Sequence, residues 1–495
     1  MKAVLQKFEY RYMEYEKQLQ IREIEAVIPN VHIVENDNES TVIEAPFMSA
    51  KQLCELTYYS AFKIDNTFFP TRQALLERDE TLRVIKQHTR YSTHGIHEYK
   101  GKFNPQIVHA LLNILNITKD CVVLDPFNGS GTTILESAHA GIQAVGTDIN
   151  PMACFISNAK IKALSISIHH AEKVLDTILN EIPSFHLDKN IMDERLQYLY
   201  SWIPENTLTA LEGIRASVAE ENDGIATLFL SVASDLIREY SYQEPSDLRI
   251  RRRISPFPEM SFIDAFENNV LKYLKRISEI QDLPYGVCDK GRAIHCDIKT
   301  IANIAPDLFD AAITSPPYVT ALPYVDTQRI SLVWLGLCNA SEIRKLETQL
   351  IGNREISKSE KNAWSDKITT NMNDLPEEVT SLAQNMLNSL SSTDGFRKQA
   401  VPALTYKYFS EMKEMFCNVK RFLKPNAPFA LIVGHNRTTL GNQIYYIDTP
   451  RLLAIVAQSC GWEIEEISEL QTYVRYGLNS KNSIARESLI ILKNA

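Results

Sequence analysis

The sequence predicts an α/β fold: a mostly parallel sheet covered by helices on both faces and interrupted by a large helical insertion. Three features predict it. Short apolar strands alternate with helical patterns from about residue 95 onward. The first of these strands runs into the turn Gly129-Ser130-Gly131. A later one runs straight into Ser315-Pro316-Pro317-Tyr318.

Residues 1–90 form an accessory N-terminal region. Helical stretches are expected around 3–26 and 70–87, with strand pairing between them near Val31–Ile43. No catalytic motif falls here.

Residues 91–164 carry the first half of the sheet domain. Phe103-Asn104-Pro105-Gln106 leads into an apolar helix, Ile107–Leu115. Pro105 suits its first turn, where a missing N–H costs nothing. Cys121–Asp125 reads as a short buried strand, Thr132–Ala140 as a helix stopped by Gly141, and Gln143–Thr147 as a second strand ending at Asp148. This is a βαβ unit.

Residues 165–285 are helical, with apolar residues recurring at spacings of three and four through Ala171–Ile182, Arg195–Trp202, Leu208–Val218 and Ile225–Ile237. Residues 286–495 return to alternation. Strands are expected at Ala293–Cys296, Ala311–Thr314, Pro428–Val433 and Ser488–Leu492, and helices at 405–424 and Pro450–Cys460. The polar, weakly patterned stretch at about 340–400 reads as an insertion or mobile loop.

Composition narrows the class. Apolar residues make up 44% and charged residues 23%, as in a soluble globular protein. There is no bilayer-length apolar run and no secretory leader, so the expectation is cytoplasmic, without a membrane partner. The eight cysteines are scattered, with no Cys-x-x-Cys pair and no metal-ligand spacing, and read as reduced core thiols. No Pro-Cys dipeptide is present, which disfavours carbon-5 methylation of cytosine by a cysteine nucleophile. The net charge of −9 argues against a protein that coats nucleic acid indiscriminately.

Ligands of such sheets bind at the carboxyl ends of the strands. Asp125 sits at one end, where an acid can accept a hydrogen bond from a ligand ammonium group. Gly129 and Gly131 let the backbone approach a ligand closely. Asp148 has the placement that binds ribose hydroxyls. No Lys follows the second glycine, so a phosphate-cradling loop does not fit. A lone Gly-x-Gly also occurs at purely structural corners; the full run Asp-Pro-Phe-Asn-Gly-Ser-Gly-Thr-Thr is far more specific.

In Ser315–Tyr318 two prolines stiffen the backbone and remove two N–H donors. The Ser315 hydroxyl and the Pro316 carbonyl remain as acceptors, and Tyr318 presents a flat ring. A planar base bearing an NH2 group is the complement: two acceptors hold its two hydrogens while the ring stacks on its face. Alone, the turn reads equally well as rigid packing; after the glycine turn in one domain, chemistry is the better reading.

Together these motifs resemble the amino-methylating DNA methyltransferases, which make N4-methylcytosine or N6-methyladenine. Asp125–Thr133 looks like the family's cofactor motif and Ser315–Tyr318 like its catalytic motif. Lys102-Phe103-Asn104-Pro105 looks like the segment that covers the methionine end of the cofactor. The resemblance implies a Rossmann-like S-adenosylmethionine-dependent methyltransferase sheet. It assigns catalysis to Ser315, Pro316, Pro317 and Tyr318. It assigns S-adenosylmethionine binding to Phe103, Asp125, Pro126, Phe127, Gly129, Ser130, Gly131, Thr132, Asp148, Asn150 and Asp297. It also implies double-stranded DNA with a flipped target base as partner, direct transfer without a metal, and a companion restriction enzyme or other defence component.

The Ser form of the catalytic motif is closer to the N4-cytosine members; N6-adenine is the competing target. An RNA guanosine N2-methyltransferase could use a similar turn, but its usual N-terminal RNA-binding module is not recognisable here. A non-catalytic DNA-binding homologue is the remaining rival. The two motifs stand further apart than a compact domain needs. The helical insertion fills the gap and is the expected target-recognition region, with Arg249, Arg251, Arg252 and Arg253 offered to phosphates or guanine edges. A solvated basic turn is the plainer account of that run, and residues 340–400 are the competing recognition region.

Overall fold

The computed structural model describes residues 1–78, 87–187, 193–284, 286–305, 307–319, 324–471 and 486–495. The chain begins with an antiparallel sheet of β1 (Lys2–Lys7), β2 (His32–Asn36), β3 (Ser40–Glu44), β4 (Tyr59–Ile64) and β5 (Thr67–Pro70). Its order is β2-β3-β1-β4-β5. The first few residues, expected to be helical, form the central strand instead. Ala3 and Leu5 alternate onto one face and pack with Ile24 of the helix Glu14–Val27. The expected second helix is present as Arg72–Glu77; positions 79–86 lie outside the described residues.

The central sheet contains β6 (Val122–Asp125), β7 (Gln143–Asp148), β8 (Arg292–His295), β9 (Ala311–Thr314) and β10 (Pro428–Gly434), all mutually parallel. After the hairpin β11 (Asn436–Leu440) and β12 (Gln443–Ile447) it is completed by β13 (Trp462–Gln471) and β14 (Arg486–Asn494). β14 runs antiparallel to both β10 and β13. The order is β13-β14-β10-β9-β6-β7-β8. The chain moves outward from β6 to β8, then crosses back to β9. Strand order therefore reverses between β6 and β9, where open α/β sheets open a crevice.

Both faces are covered, which is why these strands read as continuous apolar runs. Val123, Ile313 and Ile432 point to the helices Pro105–Ile114 and Thr132–His139. Leu124, Ala312 and Leu431 point the other way, to Phe396–Lys420 and Thr449–Ser459.

The insertion is helical as expected: Ile168–Glu181, Glu194–Trp202, Glu205–Ser217, Asp223–Ile237 and Phe262–Gln281. Leu175, Leu211, Phe229 and Phe266 form its core, joined to the sheet domain through Met152 and Ile156 of the helix Pro151–Ala163. Residues 340–400 are not a loose loop. They form the helices Ile343–Gln349, Lys358–Thr370 and Glu377–Asn388. Ile368, Val379, Ala383 and Met386 are buried in the core shared with Phe396–Lys420. Among the described residues, no helix is long and apolar enough to cross a membrane.

Candidate active site

A cleft opens where the strand order reverses, with about 830 Å³ of atom-free space counting the open solvent at its mouth. One wall is the glycine turn. Gly131 caps the helix Thr132–His139 with a left-handed backbone, φ +80°. A Cβ there would meet Ser157 Oγ at 2.7 Å, so this corner tolerates only glycine. Pro126, Phe127, Gly129, Ser130 and Thr132 line the cleft.

Asp148 lines it from the end of β7. One carboxylate oxygen accepts from Gly129 N–H at 2.9 Å and the other from Asn150 N–H at 2.8 Å. It thus clamps the glycine turn to the next helix start while keeping lone pairs for a ligand. Desolvation pushes its pKa up to about 6. Asn150, Asp297 and Phe103 line the cleft as well. Asn150 also caps the helix Pro151–Ala163 by accepting from Met152 N–H.

Asp125 is placed differently from the expectation of direct contact. It is fully buried behind the lining. Its Oδ1 accepts from Thr314 Oγ1 at 2.5 Å and from Phe127 N–H at 3.1 Å, so it ties the ends of β6 and β9 together. Burial raises its pKa to about 6. Its Oδ2 and the Ser130 Oγ are buried with no hydrogen-bond partner among the described residues.

Ser315 and Pro317 face the same cleft; Pro316 and Tyr318 stand just outside the lining. The Ser315 hydroxyl donates to the Ile432 carbonyl on β10 at 2.9 Å. Tyr408 donates its hydroxyl to the Pro317 carbonyl at 3.0 Å, and Tyr318 donates to Glu487 Oε1 at 2.6 Å. Ser315, Pro317 and Tyr318 are therefore each pinned by a different element of the sheet domain. Tyr408 and Glu487 escape sequence reasoning because nothing local marks them.

The strap Ser92–Phe103 crosses the cleft. Tyr99 and Lys102 line it, and the Tyr99 ring lies 3.4 Å from where a Cβ of Gly129 would stand. Behind the strap, Glu136 gathers His94 at 2.6 Å, His109 at 3.1 Å, His139 at 3.2 Å and the Tyr91 hydroxyl at 2.8 Å, all of them buried. Burial alone would raise the Glu136 pKa, but the His139 charge and the histidine hydrogen bonds outweigh it and hold it well below the usual carboxylate range. Burial pushes His94 well below its ordinary value, so that imidazole is neutral. His94, Glu136 and His139 come close enough to hold a metal ion, a grouping that sequence spacing does not reveal. Their mutual hydrogen bonds already account for the arrangement, which fastens the strap to the helix after the glycine turn.

Gln349, Leu350 and Ile351 complete the lining from the 340–400 segment. The arginine run lies elsewhere, in the helical insertion. Arg253 donates to the carbonyls of Ser255, Glu239, Ser241 and Pro256 and covers the Phe257 ring. Arg252 donates to the Ser201 carbonyl and lies 4.2 Å from the Trp202 ring centroid. These two hold the loop; Arg251 is exposed and only loosely paired with Asp247 at 3.8 Å. Arg253→Ala is expected to cost about 2 kcal/mol of stability through carbonyls left unsatisfied. A thermal unfolding midpoint equal to wild type would contradict that clamp.

A family model described as DNA methylase matches residues 7–159. Type II methyltransferase M.MvaI of Kocuria varians is 23% identical over 386 residues, covering 73% of this chain and 81% of that protein. Type II methyltransferase M.BsoBI of Geobacillus stearothermophilus is 25% identical over 387 residues, covering 69% and 74%. The solved structure of TrmN from Thermus thermophilus aligns over 99% of both chains at a TM-score of 0.33 and 9% identity, too loose a likeness to bear on function.

The parallel sheet, the glycine turn and the cleft at the crossover match the architecture expected of S-adenosylmethionine-dependent methyltransferases. The cleft suits that cofactor: Ser130, whose Oγ has no hydrogen-bond partner among the described residues, lines it beside Asp148, whose carboxylate keeps lone pairs for a ligand. Within that class the chain is similar to the amino-methylating DNA methyltransferases, through the DNA methylase model over residues 7–159 and the Type II relatives.

Proposed function

We propose that this protein methylates the N4 amino group of cytosine at a specific sequence in double-stranded DNA, with the target base flipped out of the helix. The observation that carries this reading is the hydrogen bond from Ser315 to the Ile432 carbonyl. A hydroxyl that has given away its one proton presents only lone pairs. Ser315 is then a pure acceptor, and Pro316 adds a carbonyl with no competing N–H. Two such acceptors match the two hydrogens of an exocyclic amine. They draw its lone pair out of ring conjugation. The neutral serine, in place of an acid, supports cytosine over adenine through the family resemblance.

S-adenosylmethionine, when bound, supplies an electrophilic methyl group. Phe103, Pro126, Phe127, Gly129, Ser130, Thr132, Asp148, Asn150 and Asp297 would hold it, with Asp125 and Gly131 shaping the wall from behind. Tyr318 would stack on the flipped base, its ring fixed in plane by Glu487. Glu487→Ala is expected to lower kcat about tenfold without changing cofactor affinity, and Glu487→Gln, which still accepts, to restore most of it. Equal kinetics for Glu487→Ala and wild type would remove Glu487 from this role.

The similarity to Type II methyltransferases supports a restriction–modification setting, in which a companion nuclease would cut the unmethylated site. The decisive experiment incubates the protein with labelled cofactor and matched plasmid DNA and tRNA, then identifies the modified nucleoside by mass. N4-methylcytosine is expected. N6-methyladenine would overturn the choice of base, and label confined to RNA would overturn DNA as substrate.

A further inference from the structure

We propose that the β11–β12 hairpin is a DNA-contacting element, docking its outer face on the duplex beside the flipped base. This rests on the proposed DNA activity and adds a surface to it.

The hairpin follows β10 directly. Its first residue, Asn436, donates its side-chain amide to the carbonyl of Val319, the residue after Tyr318. The strand before it supplies the Ile432 carbonyl that orients Ser315. The hairpin is thus fastened just past the end of the catalytic turn, and the strand that leads into it holds the turn's start.

Its two faces differ. The inner face carries Leu440, Tyr445 and Ile447, all buried. The Tyr445 hydroxyl donates to the Asn385 carbonyl at 2.9 Å, and Gly441 N–H donates to Asp394 at 2.8 Å. The helical segment 340–400 therefore works as its buttress. A lone two-stranded hairpin is marginal in water; this one is held rigid along its length.

The outer face is different in kind. The register pairs Arg437 with Tyr446 and Thr439 with Ile444, and all four point to solvent. Tyr446 is 72% exposed and Ile444 46%. The Arg437 guanidinium lies 5.4 Å from the Tyr446 ring centroid. Asn442 and Gln443 stand exposed at the turn. The outer-face side chains contribute a cation, a flat ring, an aliphatic group and a hydroxyl, and the turn adds the Asn442 amide, while the Gln443 carbonyl oxygen accepts from Ser389 and Tyr445 on the inner side. Those are the groups that meet phosphates, unstacked bases, thymine methyls and base edges. A two-stranded ribbon is also one of the shapes the major groove admits. The cation is the complement of a polyanion that must lie against the catalytic turn for a base to enter it. An acidic chain of net charge −9 needs local cations at that contact.

The test uses the full-length protein with a fluorescent mixed-sequence duplex, labelled cofactor and three variants: Arg437→Gln, Tyr446→Ala and Ile444→Ser. These side chains are exposed, and cofactor affinity by calorimetry checks that each variant remains folded. Arg437→Gln should weaken duplex binding about fivefold or more and lower the magnitude of the salt slope by about 1. Tyr446→Ala should raise KM for DNA about tenfold, the scale of a lost base–aromatic contact. Wild-type-like duplex affinity, salt slope and KM in all three, with wild type methylating DNA normally, would overturn the hairpin role alone. Loss of self-association in place of DNA affinity would overturn it in favour of a second copy as occupant. If wild type transfers no methyl group to DNA, the parent reading falls with it.

Discussion

Ser315→Ala is expected to lower kcat by about 10²–10³ while leaving cofactor affinity unchanged. That is the usual scale for removing one preorganised polar group from a reacting centre. The preorganisation here is specific. Ser315 lies at the carboxyl end of β9, beside the crossover, and its proton is committed to Ile432 on the neighbouring strand. No rotation of the hydroxyl is needed when the base arrives. The two prolines fix the backbone, and Tyr408 holds the Pro317 carbonyl. Alanine keeps the stiffened backbone and the Tyr408 bond and deletes the hydroxyl, both the acceptor and its bond to the Ile432 carbonyl. Single-turnover transfer of labelled methyl groups, with calorimetry of the cofactor, separates the two quantities. A Ser315→Ala enzyme within threefold of wild type would show that the amino group is held by other acceptors.

The site is more legible in the sequence than the fold around it. Asp125–Thr133 and Ser315–Tyr318 are contiguous runs, and each follows a four-residue strand buried on both sides. Burial on both sides leaves no polar alternation to confuse the reading. What pins those runs in place is invisible in the sequence, because Glu487, Tyr408 and Ile432 act across long separations. The β1 strand is hidden because only Ala3 and Leu5 mark its inner face, and the helical pattern starting at Glu14 spreads over it. β13 is hidden because Glu463, Glu465, Glu466 and Glu469 crowd an edge strand whose register shifts between Ile464 and Glu466. The 340–400 helices look shapeless for a related reason. Lys358–Thr370 buries only Ile368, too little to create a period.

The arginine run shows the converse hazard, a signal that is loud in sequence and half spent in structure. Four arginines in five positions suggest a nucleic-acid surface, yet Arg252 and Arg253 are consumed by backbone carbonyls and rings. The single Arg437 has no such neighbours in sequence, although it stands exposed on a hairpin fastened to the catalytic turn.

Asp148→Asn is expected to weaken S-adenosylmethionine binding about 10–100-fold. The carboxylate accepts Gly129 N–H and Asn150 N–H on separate oxygens, so both must be acceptors. An amide provides one acceptor and one donor, and the donor opposes whichever N–H it faces. The glycine turn or the next helix start then loses its tether, at the scale of a charge-assisted hydrogen bond, about 1.5–3 kcal/mol. The same carboxylate gives a pH signature. Its pKa is about 6 in the free protein, and only the ionised form can accept both bonds. Between pH 7 and pH 5 cofactor affinity should therefore fall about tenfold. Stability of the free protein responds with the opposite sign. The folded pKa lies above the unfolded value near 3.9, so protonation favours the folded state, and this group's contribution rises as pH falls through about 6. Asp125, also near 6, acts in the same direction. Calorimetry at pH 5, 6 and 7 on wild type and Asp148→Asn checks the binding arm, and the variant should show a shallower profile. A wild-type affinity that is flat across that window would mean that neither carboxylate must be ionised to hold the cofactor.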